Sequence, residues 1–489
     1  MSASSSAPNE PFPVPSAPAA AGPGEIDASC RLPVMVLFAC AAVWLMVASI
    51  FGLIASLKFH ATNLLADCPW LTYGRVQPAQ SNAFLYGFAA QAALGAALWL
   101  IARLGRTRLV LSGCIVVGAI FWNAGVKIGV SAILLGDTTG YEWLEMPGYV
   151  SPILFVAYAI VGVCALLTFH HRHRPTLYVS QWFLLAALFW FPWIYSTANL
   201  LLAFFPVRGV LQALVDWWYI HNLSQIWFGF IGLAAIFYFL PKLAAHPLYS
   251  GYLAIFAFWT LTLFGGWGGI HHGAPLPSWL PSISTVFTVL SLAPLLAIAM
   301  NFSQTFAPAT AKLKESLPLR FIAFGAIAYL SAGALGIIDS LPGAGRITHF
   351  TFFTPGRAQL FLYGFFGMTM FGAIYEVVPR LMQNEWPSAK LAGRHFTLAA
   401  AGTILNVVPL VCGGGVQGLA LNDPNKPFLD VLRSSLMFFR VSTLGDLLIA
   451  LGNGVFVLNL VWMLVRCFRA RCIPVMVASA RPQLAEATR

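Results

Sequence analysis

Twelve apolar runs, most of them about twenty residues long, constrain this chain more than any other feature. They fall at roughly 33–57, 81–102, 109–135, 149–169, 181–205, 218–240, 251–270, 282–303, 319–339, 355–379, 396–413 and 441–466. Each is read as long enough to cross a hydrocarbon layer of about 30 Å as a helix. In lipid only helices or closed barrels satisfy their own backbone, and runs of this length without period-two alternation select helices. Only 9% of the 489 residues are charged and 59% are apolar, against roughly 25% charged in a soluble domain. Too little charge is present to cover a water-facing surface. The fold class is all-α and integral to the membrane, and the lipid bilayer is its first partner.

The formal charge of +11 does not point to nucleic acid, because the basic residues are scattered through short loops. Loops after even-numbered runs carry Arg103, Arg106 and Arg108, then Arg172 and Arg174, Lys242, Lys312, Lys314 and Arg320. Arg380, Lys390 and Arg394 follow, and the last run ends at Arg466, Arg469 and Arg471. Loops after odd runs are poorer in Lys and Arg, the one at 414–440 excepted with Lys426, Arg433 and Arg440. This asymmetry places both termini in the cytoplasm. Residues 1–32 read as a disordered tail of Ser, Ala, Pro and Gly, residues 33–470 as one membrane domain, and 471–489 as a second tail. Eight cysteines form no CxxC pair and no CxxCH heme-attachment motif, so they read as buried thiols.

Ionisable groups at membrane depth are costly and mark functional candidates. His221 opens the sixth run, and His271 and His272 close the seventh. Three imidazoles at the ends of neighbouring helices can converge on copper, zinc or iron, or can each sit at the interface. Arg357 lies just inside the tenth run and either snorkels outward or pairs with an anionic group. Gln80 and Gln359 are neutral amides of the kind that join helices. His349 lies on the outer side. Lys127 sits in the third run without an evident partner, and Glu376 lies near the cytoplasmic end of the tenth. His170, His171 and His173 alternate with Arg172 and Arg174 as a basic loop. Beyond His221, His271 and His272 the sequence offers no spare histidine at mid-membrane depth.

Several stretches carry a family resemblance. Tyr73-Gly74-Arg75-Val76-Gln77-Pro78, Tyr141-Glu142-Trp143-Leu144-Glu145-Met146-Pro147, Trp217-Trp218-Tyr219-Ile220-His221-Asn222 and Tyr238 to Lys242 resemble motifs of the cbb3-type (C-family) heme-copper oxidase subunit I. The resemblance covers nearly the whole chain. It implies a twelve-transmembrane-helix bundle in a bacterial-type inner membrane, with other respiratory-oxidase subunits as partners. It assigns His221, His271 and His272 as the three copper ligands. It also implies histidine ligands for a low-spin and a high-spin heme b. At those positions this chain has Gln80, Arg357 and Gln359. The tyrosine expected six residues before His271 is Gly265. By the same resemblance Arg75, His349 and Arg440 are candidates for the heme-propionate side.

Scaffold and chemistry therefore diverge. The family's activity is electron transfer from cytochrome c to oxygen, coupled to proton translocation. Arginine donates hydrogen bonds only and cannot ligate iron, and a glutamine amide is a weak ligand. The expected reading is a divergent subunit I without its hemes, keeping a three-histidine copper site in an accessory, assembly or copper-handling role. An active oxidase or nitric oxide reductase with altered heme ligation is the alternative, and a transporter using the emptied interior is another. Phe361, Leu362, Phe365 and Phe366 are the apolar residues expected to fill the heme space beside Arg357.

Overall fold

The computed structural model describes residues 20–486 apart from 274, with side chains described through 469. Twelve helices follow one another: α1 Pro23–Lys58, α2 Tyr73–Gly105, α3 Ser112–Leu135, α4 Gly148–His170, α5 Val179–Phe204, α6 Leu211–Ala244, α7 Gly251–Trp267, α8 Trp279–Lys314, α9 Leu317–Ser340, α10 Phe353–Met382, α11 Ala389–Leu421 and α12 Phe428–Glu486. They match the twelve apolar runs one for one. Among the described residues, eleven are long and apolar enough to span a bilayer. The exception is α7, whose seventh run was expected to be full length. It breaks at Gly265-Gly266 into a short turn that ends at Trp267, and the residues after it return as an irregular loop carrying His271 and His272.

Burial sorts the helices into two shells. The apolar windows of α2, α6 and α10 are 100%, 94% and 94% buried, whereas none of the other eight candidates that are long enough reaches half. Those three helices are therefore the centre, and the rest shield them from lipid. Each central helix also contains a π-helical stretch, at Ala83–Ala89 in α2, Asn222–Phe228 in α6 and Leu360–Gly367 in α10. A π-turn inserts one residue into the i→i−4 ladder and re-aims the side chains around it, and such turns concentrate at functional sites. The stretches begin within three residues after Gln80, His221 and Gln359. The same three helices are the ones singled out by the sequence for metal and heme ligands.

Two expected boundaries move. Residues 23–32 are helical rather than disordered, because α1 starts at Pro23. The Glu25 carboxylate accepts the Gly22 N–H, Asp27 accepts from Trp99 Nε1, Arg31 donates to the Leu381 carbonyl, and Cys30 is fully buried. These long-range contacts, invisible in a Ser/Ala/Pro-rich stretch, stabilise the extra turns. The expected loop 414–440 shrinks to 422–427, since α11 runs on to Leu421 and α12 begins at Phe428. Residues 1–19 of the expected first tail lie outside the described residues. The expected second tail continues α12 as helix to Glu486.

Candidate functional site: a histidine cavity closed by an ion pair

His221, His271, His272 and His349 line one cavity of about 100 Å³, together with Asp339 and Arg357. His221 ends the first regular stretch of α6, just before its π-helical turn. Its Nε2 lies 2.8 Å from the Gly265 carbonyl, so Nε2 carries the proton and Nδ1 the lone pair. Asn222 fixes that turn of α7 by donating to the Gly266 carbonyl at 3.1 Å, while Trp190 Nε1 donates to Asn222 Oδ1 at 2.9 Å. Gly269 has φ +88°, and a Cβ there would meet the His221 ring carbon Cγ at 2.8 Å. Glycine at 269 is thus what lets the returning loop lie against His221.

His271 stacks edge-on against His349, ring centroids 4.1 Å apart, with Trp217 at 5.1 Å on another side. Burial, then the neighbouring His349, pushes the His271 imidazole down to about 3, and burial also holds His349 below the usual histidine range. Both rings are neutral at pH 7. His272 turns away, its Nε2 within 3.1 Å of Thr285 Oγ1.

The cavity's inner wall is charged. Asp339, at the end of α9, is almost completely buried and accepts from Thr348 Oγ1 at 2.5 Å. Its other oxygen faces Arg357 Nε at 3.4 Å. Asp339 is a residue the sequence reading passed over. The signal was present, since a carboxylate inside an apolar run needs a partner.

Imidazole donors are the right type for copper. Their present arrangement does not bring three nitrogens to one point, and among the described residues no three of His, Cys, Asp and Glu are grouped to hold a metal. Ring rotation away from Gly265 and Thr285 would be needed. Heme is a different case. The side chains at the axial positions implied by the resemblance are Gln80, which lies against Gly52 of α1, Gln359, and Arg357, whose guanidinium faces the Asp339 carboxylate. That donor set does not fit a heme iron. Phe361, Leu362, Phe365 and Phe366 are all buried. Phe365 packs 4.9 Å from Tyr329 and 5.0 Å from Phe361, and Phe366 packs 4.8 Å from Phe228.

The other sequence candidates are dispersed. Arg75 donates to the Leu134 carbonyl at the end of α3, and Arg440 is exposed on α12. Lys127 is exposed on the outer surface of α3, while Glu376 pairs with Arg380 one turn away. His170 is the last residue of α4, and His171 follows it in the basic loop.

A buried histidine and a partly buried carboxylate lie outside the candidates the sequence offers. His395, near the start of α11 and just before the eleventh apolar run, is completely buried. Its Nδ1 lies 3.0 Å from Tyr375 OH, and Phe321, Phe371 and Phe456 surround its ring at 4.6–5.2 Å. That aromatic cage leaves it packed as core. Asp446 of α12 accepts from Asn406 Nδ2 at 2.8 Å, one turn from Thr443, which bonds both Ser56 and His60 at 2.8 Å.

A profile of the family described as Cytochrome C and Quinol oxidase polypeptide I matches residues 33–448. The chain is 28% identical over 437 residues to the cbb3-type cytochrome c oxidase subunit CcoN1 of Stutzerimonas stutzeri, covering 85% of this chain and 91% of that protein. It is 26% identical over 472 residues to a bacteroid cytochrome c oxidase subunit 1 homolog of Bradyrhizobium diazoefficiens, covering 92% and 85%. Among solved structures it is similar to a heme-copper terminal oxidase dimer determined by cryo-electron microscopy. That match has a TM-score of 0.72 at 14% identity, over 89% of this chain and 84% of the other.

Proposed function

Because this chain belongs to the cytochrome c and quinol oxidase polypeptide I family, with cbb3-type subunit I relatives, we propose that it is a heme-free member of that family. In this reading it keeps the membrane scaffold and the outer histidine cluster. It serves an accessory or copper-handling role beside respiratory-oxidase subunits, in a bacterial inner membrane with both termini cytoplasmic. The observation that carries the reading is the Arg357–Asp339 contact inside the histidine cavity. Iron could not share the Arg357 position, since a guanidinium offers donors only.

His221, His271 and His272 would hold copper as neutral imidazoles, which is the protonation state a metal ligand needs. Copper there would supply a redox-active or transferable ion. His349 packs on His271 and orients it, and the Asp339 carboxylate offsets the Arg357 charge that would otherwise oppose a cation. Loss of the tyrosine at Gly265 fits the same reading, because that position now offers only a carbonyl to His221.

The test is an absorption spectrum with metal analysis of the protein purified in mild detergent. The expected result is no Soret band, with about one copper per chain that is lost on His271→Ala. A reduced-minus-oxidised heme b signal near one heme per chain would overturn the heme-free reading and return the protein to oxidase or nitric oxide reductase chemistry. Absence of both heme and copper would overturn the copper role.

A further inference from the structure

A second cavity, larger and unrelated to the histidines, opens where α1 begins and α2 and α6 end. It encloses about 900 Å³ and is lined by Arg103, Arg106, Arg174, Lys242 and His246. The two helix C-termini that face it would attract cations, but each amounts to only about half a negative charge. Asp27 partly balances Arg103, at 3.8 Å. Arg106, Arg174 and Lys242 are exposed and form no ion pair among the described residues. Glu25, which accepts the Gly22 N–H at the cavity edge, pairs with Arg108, and Glu376 pairs with Arg380. A positive excess remains after every local anion is counted, and like charges held this close lack a compensating ligand.

The rest of the lining is amphipathic. Tyr178 and Tyr238 stand at the helix ends, as aromatic residues do at the level of lipid headgroups. Tyr178 OH donates to the Phe237 carbonyl and the Lys242 ammonium lies 5.1 Å over the Tyr238 ring, so both rings are fixed. Leu104, Pro247 and Leu248 supply an apolar side.

We propose that this cavity binds a phosphate-bearing anion, namely the headgroup of an anionic phospholipid, through Arg106, Arg174 and Lys242. Basic pockets between membrane helices take such headgroups, and the apolar side suits the glycerol and first acyl carbons.

The full-length protein in mild detergent would be titrated with phosphatidylglycerol, phosphatidylcholine or inorganic phosphate and read by native mass spectrometry and thermal shift. Phosphatidylglycerol should bind and raise the melting midpoint, and phosphatidylcholine should do neither. The double variant Arg174→Gln/Lys242→Gln should bind phosphatidylglycerol about thirtyfold more weakly, at roughly a factor of five per surface charge. Arg433→Gln, at the opposite end of the bundle, should bind as wild type does. Arg106→Gln alone provides a second reading should the double variant misfold. Competition by millimolar inorganic phosphate would assign the same cavity to a free phosphate and overturn the lipid assignment. Equal phosphatidylglycerol binding by wild type and both cavity variants would overturn the site itself.

Discussion

Arg357 Nε faces Asp339 Oδ2 across 3.4 Å, joining the first turns of α10 to the last turn of α9 on the wall of the histidine cavity. Asp339 is 3% exposed, so its charge has little water to fall back on. Removing one partner of a buried pair strands the other, which costs about 3–5 kcal/mol when both are fully buried. Arg357 keeps about a quarter of its side chain exposed, which screens the contact and lowers the expected cost to about 2 kcal/mol. Asp339→Asn should therefore lower the melting midpoint in detergent. Arg357→Gln combined with it should recover part of the loss. Additive losses in the double variant would show that the two residues are not coupled.

The copper assignment makes an ordered prediction across four histidines. His221→Ala and His271→Ala should each remove most of the bound copper. His349→Ala should weaken it about tenfold, the usual range for a residue that orients a metal ligand, because His349 is the ring packed on His271. His170→Ala, at the exposed end of α4, should leave it unchanged. Metal content with a competing chelator reads all four, and uniform copper across the set would mean binding elsewhere.

Helix number was legible because each apolar run is long and punctuated by loops, and burial in a bilayer leaves little room for another reading. The end of α7 was not, since Gly265 to Gly269 read as apolar as the run before them while their backbone unwinds to admit His221. The histidines were legible as candidates but not as neighbours. That His349 meets His271, and His272 does not, depends on the short helix Pro342–Thr348 that swings His349 inward. Asp339, Asp446 and His395 were readable in principle as polar residues in or beside apolar runs. Their partners Arg357, Asn406 and Tyr375 lie 18, 40 and 20 residues away in sequence, and no local pattern names them.

Glu145 gives a pH prediction outside the spans. Its carboxyl is buried at the base of the loop between α3 and α4 and is pushed up to about 7, chiefly by burial, with the Asn82 amide opposing. A carboxyl with a folded value above its unfolded one binds more protons when folded. Stability therefore falls as pH rises from about 4.5 to about 7 and is flat above that. Glu145→Gln should remove this slope and raise the melting midpoint at pH 8 by a few degrees, while changing little at pH 4.5. A wild-type midpoint that climbs between pH 5 and 7 in parallel with the variant would contradict the raised value.

The packing of the central helices bears on whether space for a heme survives. A Cβ on Gly232 of α6 would stand 2.5 Å from Phe365 Cζ of α10, so the Phe365 ring already fills the groove between the two helices. Gly232→Ala should destabilise by about 1–3 kcal/mol, the cost of forcing one extra carbon into a packed core. Phe365→Ala should cost about 3–5 kcal/mol by leaving a cavity. Neither change supplies an axial donor, so hemin added to Phe365→Ala should produce no six-coordinate heme spectrum. Adding Gln80→His and Gln359→His to that variant places an imidazole on each of α2 and α10. A low-spin heme b spectrum in that triple variant and not in Phe365→Ala would show that ligands, rather than space, were the limiting loss. Heme uptake by Phe365→Ala alone would show the reverse.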